Sequence, residues 1–132
     1  MYTVKQLAQK LGISAHTVRY YDDKGLFPEV VRDERGARLF SEEQLEWVYL
    51  VLCLKRTGMS ISDIRRYISL CGEGDRTIRE RYGIIMEQKR RAEQELEEMR
   101  RKLDVLCAKE TYYENLICGA PDAVDSFNPA NR

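Results

Sequence analysis

The run Thr17-Val18-Arg19-Tyr20-Tyr21-Asp22-Asp23-Lys24-Gly25-Leu26 holds the side chains best suited to chemistry, and that chemistry is recognition rather than bond-making. In a helix here, Val18 and Tyr21 turn inward while His16, Thr17, Arg19, Tyr20 and Lys24 face outward. An arginine fork reads guanine edges or bridges phosphates, and a tyrosine hydroxyl reaches phosphate from a rigid ring. The bland alternative is a small trihelical core whose Arg and Tyr stems merely cover apolar surface. Nothing competes as a catalytic centre. His16 is the one histidine, and no Ser/His/Asp, Cys/His or glycine-rich phosphate-binding pattern occurs, so an enzyme is not expected.

Short local signals set the elements that must hold these groups. Thr3 with Gln6 is a capping-box pattern, and Val4, Leu7, Ala8 and Leu11 follow on one helical face. Gly12 can end that helix in a left-handed conformation, Ile13 can plug the corner, and Ser14 is a good N-cap for a second helix from Ala15 to about Lys24. Two helices separated by about three residues are a helix-turn-helix.

After Pro28, Val30-Val31-Arg32 and Ala37-Arg38-Leu39-Phe40 flank Asp33-Glu34-Arg35-Gly36, which predicts a two-stranded wing with a glycine-containing turn. Alternation, read from Ala37 and Leu39 as inward residues, turns Arg38 away from the core, and Arg35 lies near the tip. The bland reading is a solvated hairpin whose arginines pair with Asp33 and Glu34. A second helical pair follows. Ser41 with Gln44 caps a helix whose expected core stripe is Trp47, Leu50, Val51 and Leu54, with Gly58 as the stop. Ser60 with Asp63 caps the next, carrying Ile61, Ile64, Tyr67, Ile68 and Leu70.

The opening TVKQLAQKLGISAHTVRYYDDKGLF, the wing RDERGARLF, the segment SEEQLEWVYLVLCLKRTGMSISDIRRYI and the long charged helix after it together resemble the MerR family of transcription regulators. The resemblance covers nearly the whole chain. It implies a winged helix-turn-helix head on promoter DNA and a wing arginine at the backbone or minor groove. It also implies Lys55 and Arg56 gripping phosphate, with helped binding from the backbone amides near Ser60. The expected DNA-binding set is Thr3, Ser14, His16, Thr17, Arg19, Tyr20, Tyr21, Lys24, Arg35, Arg38, Lys55 and Arg56.

Bulk properties set looser limits. With 132 residues, the chain is one ordinary domain plus an appended helix. Its 22 Lys and Arg balance 22 Asp and Glu, so overall basicity cannot attract nucleic acid and the positive charge must be local. The first forty residues carry seven cations against five carboxylates, a surplus of only +2, but a two-fold dimer doubles every phosphate contact. No apolar run is long enough to span a membrane and no leader is visible, so a cytoplasmic protein is expected.

From Ile78 the apolar rhythm becomes a strict four-three alternation: Ile78, Tyr82, Ile85, Lys89, Ala92, Leu96, Met99, Leu103, Leu106, Glu110, Tyr113. This is a coiled-coil seam, and a helix of about 1.5 Å per residue with an apolar stripe needs a partner. A second copy is the obvious one. Lys89 and Glu110 are polar seam residues that fix register at some cost, and Gly83 is a weak point. Residues 1–75 are expected as the head, 76–116 as the dimerisation helix, antiparallel by resemblance, and 117–132 as a short tail containing Pro121 and Pro129. The family mechanism implied is a homodimer that bends and untwists promoter DNA so that RNA polymerase, an indirect partner, sees both promoter elements in phase.

The signal rests on cysteines. Cys53, Cys71, Cys107 and Cys118 show no Cys-x-x-Cys spacing, so free thiols are expected, with no cofactor and no assigned metal. Metal sensors of the family carry cysteines at the start of the long helix and a close pair beyond it. Here no cysteine stands near Arg79, which departs from that plan, although Cys118 meeting another chain's Cys71 remains a metal-responsive alternative. Cys53, in Cys-Leu-Lys-Arg-Thr-Gly-Met-Ser, looks like the branch that answers aldehydes or other electrophiles through one cysteine. Lys55 and Arg56 would favour its thiolate, against the alternative of a structural thiol. An adaptor built on the coiled coil, without DNA binding, would account for the seam but leave Arg19, Tyr20 and the wing without purpose.

Overall fold

A computed structural model describes residues 1–119; the expected tail, 117–132 with Pro121 and Pro129, lies almost wholly outside them. The chain opens with β1 (Tyr2–Thr3), α1 (Val4–Leu11) and α2 (Ala15–Asp23), continues with β2 (Val31–Arg32) and β3 (Arg38–Phe40), and adds α3 (Glu42–Arg56) and α4 (Ile61–Gly72). A single 3-10 turn, Asp75–Thr77, then leads into α5 (Ile78–Ile117). One compact unit spans Met1–Lys89 and a second begins at Arg90.

Local capping starts the helices where the short-range patterns predict. Thr3 and Ser41 each form a complete capping box with Gln6 and Gln44, while Ser14 and Ser60 accept from the backbone N–H of Thr17 and Asp63. Gly12, at φ +69°, ends α1 in the left-handed region, which a side chain would disfavour, and the chain enters α2 three residues later. Leu7, Val18, Leu26, Phe40, Val48, Val51, Met59 and Ile64 close into one fully buried core, with Phe27 edge-on to Phe40 at 6.0 Å.

Three expectations need correction. The sheet has three antiparallel strands in the order β1-β3-β2, because Tyr2 and Thr3 pair with Phe40 and Leu39 outside the predicted hairpin. The buried line of α3 is Gln44, Val48, Val51 and Leu54, so Trp47 and Leu50 flank it half-buried. Gln44 is tolerated inside because its amide is fully used: it accepts from Ser41 N–H and donates to the carbonyls of Pro28 and Glu29, fastening the α2–β2 loop under α3. Arg38 is the third. In a pleated strand, residues two apart share a face, so Arg38 shares the side of fully buried Phe40 and is half-buried there at the edge of a cleft, whereas the alternation predicts it pointing away from the core.

In the first unit, α5 is held by Gln88, buried, whose amide donates to the Thr57 carbonyl at 2.9 Å and so satisfies an orphan acceptor at the end of α3. In the second unit the expected seam residues Leu96, Met99, Leu103, Leu106 and Tyr113 are each more than half exposed, and Ala92 is exposed too. Tyr82, Ile85 and Lys89, earlier on the helix, are likewise exposed. A Cβ on Gly83 would meet nothing within 4 Å among the described residues. Gly83→Ala is therefore expected to raise stability by about 1 kcal/mol, read as a higher midpoint in thermal melting followed by circular dichroism.

Candidate nucleic-acid interface

The exposed side of α2 and the β2–β3 hairpin meet around a cleft of about 380 Å³ lined by Thr3, Lys5, Arg19, Arg32, Gly36 and Arg38 among others. Its polar rim is almost entirely cationic. Arg19 is exposed on α2, one residue past buried Val18, so helical geometry aims it outward from the core. Arg32 stands directly opposite Arg38 across the β2–β3 pair and closes the hairpin with a 2.7 Å donation to the Gly36 carbonyl. Lys5, in the first turn of α1, completes the rim. Local charge thus gathers on one face of a chain whose net charge is zero.

The remaining expected residues divide between this face and the scaffold behind it. His16, Tyr20 and Lys24 are exposed on α2, with the Lys24 ammonium 5.4 Å from the Tyr20 ring centroid. Tyr21 is half-buried against the core, with its ring centroid 5.7 Å from that of Tyr20. Thr3 and Ser14 act as N-caps, and the Ser14 and Thr17 hydroxyls hydrogen-bond each other at 2.8 Å. Arg35 is exposed at the hairpin tip, where Asp33 Oδ1 accepts from its backbone N–H and from that of Ala37. Lys55 and Arg56 sit in the last turn of α3, half-buried and exposed respectively. Asp63 occupies the first turn of α4, and its backbone N–H donates to Ser60 Oγ at 3.1 Å.

Arg38 has partners of its own: Nε lies 2.7 Å from Asp22 Oδ2 and Nη2 2.5 Å from Asp23 Oδ1. The Nε approach is off the line of a regular hydrogen bond, so it is held there by charge. The bland expectation of pairing with Asp33 and Glu34 does not hold for this arginine. Lys5 and Arg32 were not among the expected residues. The signal for Arg32 was its register opposite Arg38, which becomes readable only once both strands are aligned. Away from the cleft, Lys10 donates to the Tyr2 hydroxyl, which raises the Lys10 ammonium above its ordinary value, while Tyr2 donates in turn to Glu42. Burial, ahead of the neighbouring Cys71 and against Arg81, raises the Tyr67 hydroxyl.

Cys53 and Cys71 are half-buried free thiols, and Cys107 and Cys118 exposed ones. Among the described residues no group of three or more His, Cys, Asp or Glu is placed to hold a metal ion, and no helix is long and apolar enough to cross a membrane.

A cationic cleft beside an outward helix, with a hairpin across from it, defines a DNA-binding regulator of transcription. Residues 2–71 match the model of the MerR HTH family regulatory proteins. The chain belongs to the MerR family. It is 43% identical over 113 residues to an uncharacterised HTH-type transcriptional regulator of Haemophilus influenzae, an alignment covering 86% of this chain and 84% of that one. Among solved structures it is similar to HiNmlR, a MerR family regulator described as lacking the sensor domain and bound to promoter DNA. That match has 42% identity and a TM-score of 0.71, over 89% of this chain and 94% of the other. A MerR family regulator from Listeria monocytogenes superposes with a TM-score of 0.79 at 32% identity, over 91% of each chain.

Proposed function

We propose that the chain is a homodimeric winged helix-turn-helix regulator that places α2 in the major groove of promoter DNA, rests its β2–β3 wing on the flanking backbone, and distorts the duplex for RNA polymerase. The observation that carries this reading is the convergence of Lys5, Arg19 and Arg32 on one cleft beside the exposed face of α2. Phosphate contacts at the rim fix register, and the α2 side chains then reach base edges. HiNmlR, described as bound to promoter DNA, supports the same use of this fold. The test is binding to a duplex selected by the protein from a randomised library, followed by fluorescence anisotropy across a salt series. Affinity should fall steeply and log-linearly with salt, with a slope of about −0.9 per phosphate contacted. Salt-independent binding, or none, would rule the reading out and leave the adaptor alternative.

Signal reception is assigned in the same proposal to Cys53, one turn before Thr57 on α3. Thr57 is the residue whose carbonyl holds Gln88 of α5, so an adduct at Cys53 would press on the joint between α3 and α5. The thiolate is the nucleophile, and formaldehyde or methylglyoxal are the electrophiles to offer. Cys53→Ala should abolish the induced change in promoter output, measured with a transcriptional reporter, while leaving operator affinity within about twofold. An undiminished response in that variant would remove Cys53 as the sensor.

A further inference from the structure

We propose that Arg38 is a positioning residue that straps the wing to the end of the recognition helix, and that it does not itself bind DNA. The inference rests on the reading that α2 and the wing engage one duplex together. Three observations carry it. The Arg38 side chain is only 13% exposed, and its guanidinium is already committed to two carboxylates, Asp22 at 2.7 Å and Asp23 at 2.5 Å. Asp22 is itself only 15% exposed, so an Arg38 that swung out to a phosphate would leave a partly buried carboxylate unpaired. Arg32 lies directly across the strand pair on the same face as Arg38. Two like charges at that separation repel unless something stands against one of them, and the two aspartates do so.

The arrangement also explains why a helix that faces phosphates ends in consecutive acids. Asp22 and Asp23 would repel the duplex if left bare. Paired with Arg38 they form a clamp of net charge −1 in place of −2, and among the described residues the cleft cations without a carboxylate partner are then Lys5, Arg19 and Arg32. A planar guanidinium can hold two separate carboxylates at fixed angles, so the strap sets the wing's direction relative to α2 as well as its distance.

The full chain and a duplex selected by the unaltered protein provide the test, with a random-sequence duplex alongside. Arg38→Met should weaken binding to the selected duplex about tenfold or more. Binding to the random duplex should change little, and the salt slope on the selected duplex should be unchanged. Asp22→Asn combined with Asp23→Asn should also weaken selective binding, although it removes negative charge beside the DNA. The triple variant should be no weaker than Arg38→Met alone, because all three residues act as one unit. The opposite pattern would overturn the proposal: a slope about 1.8 less negative in Arg38→Met, as for one lost phosphate contact per protomer of a dimer, together with tighter binding by the paired aspartate variant. Should Arg38→Met fail to fold by circular dichroism, the sign of the change in the aspartate variant decides alone. Absence of any duplex binding by the unaltered protein would instead defeat the parent reading and the strap with it.

Discussion

Arg19→Ala should cost the protein roughly 30-fold to 10⁴-fold in affinity for its selected duplex, at about 1 to 3 kcal/mol per lost base contact and two heads per dimer. The residue is exposed on α2 immediately after Val18, which is fully buried, so the substitution removes a projecting group without opening the core. Thermal stability should accordingly move by less than about 0.5 kcal/mol. Fluorescence anisotropy against the selected duplex and its single-base variants gives the decisive reading. A base contact predicts that discrimination collapses at one position of each half-site while random-sequence affinity holds. A phosphate contact predicts a uniform loss across sequences and a shallower salt slope. Retention of full affinity would mean that α2 does not enter the groove, and the proposed docking would have to be abandoned.

The helix starts were legible because capping is a local transaction. Thr3 with Gln6, and Ser41 with Gln44, satisfy each other's backbone donors within four residues, and no distant contact is needed to see it. What failed was whatever depends on a distant partner. Tyr2–Thr3 is a strand only because Leu39 and Phe40 offer it an open edge, and two residues carry no alternation to read. Gln44 broke the apolar stripe of α3 because a polar side chain is admitted to the core when three backbone groups use it, one at the helix's own N-cap and two in the α2–β2 loop, which shifted the buried line to Val48. The orientation of Arg38 was misread for a related reason. Its sequence neighbours Ala37 and Leu39 suggested an outward arginine, whereas the pleat couples it to Phe40 and the tertiary fold supplies Asp22 and Asp23 as its destination. Lys5 and Arg32 joined the cleft only when α1 and the hairpin were brought together. The candidate site was thus half visible: the helical side was written in one periodic segment, while the strand side depended on register.

A four-three rhythm, like a cap, is read from its own helix alone, and the heptad series expected from it leads to the second large effect. Leu103→Glu should convert the chain from dimer to monomer at micromolar concentration. Leu103 is 56% exposed in a single chain, with Leu96, Met99 and Leu106 similarly open along the same helix. Burying one leucine is worth about 1.5 to 3 kcal/mol, a two-fold seam loses it twice, and each replacement also asks a carboxylate to leave water. Lys102→Glu, one residue away and exposed, changes charge without entering the seam and should leave the dimer intact. Sedimentation or light scattering distinguishes the two variants directly. Operator binding should follow assembly, because a lone head loses the effective concentration that its tethered twin supplies, a factor on the order of 10² to 10⁴. The head itself should melt unchanged, since Leu103 lies beyond Lys89, where the first compact unit ends. A Leu103→Glu chain that stays dimeric would place the contact between copies elsewhere. The fixed head-to-head spacing on which the proposed promoter distortion depends would then lose its physical basis.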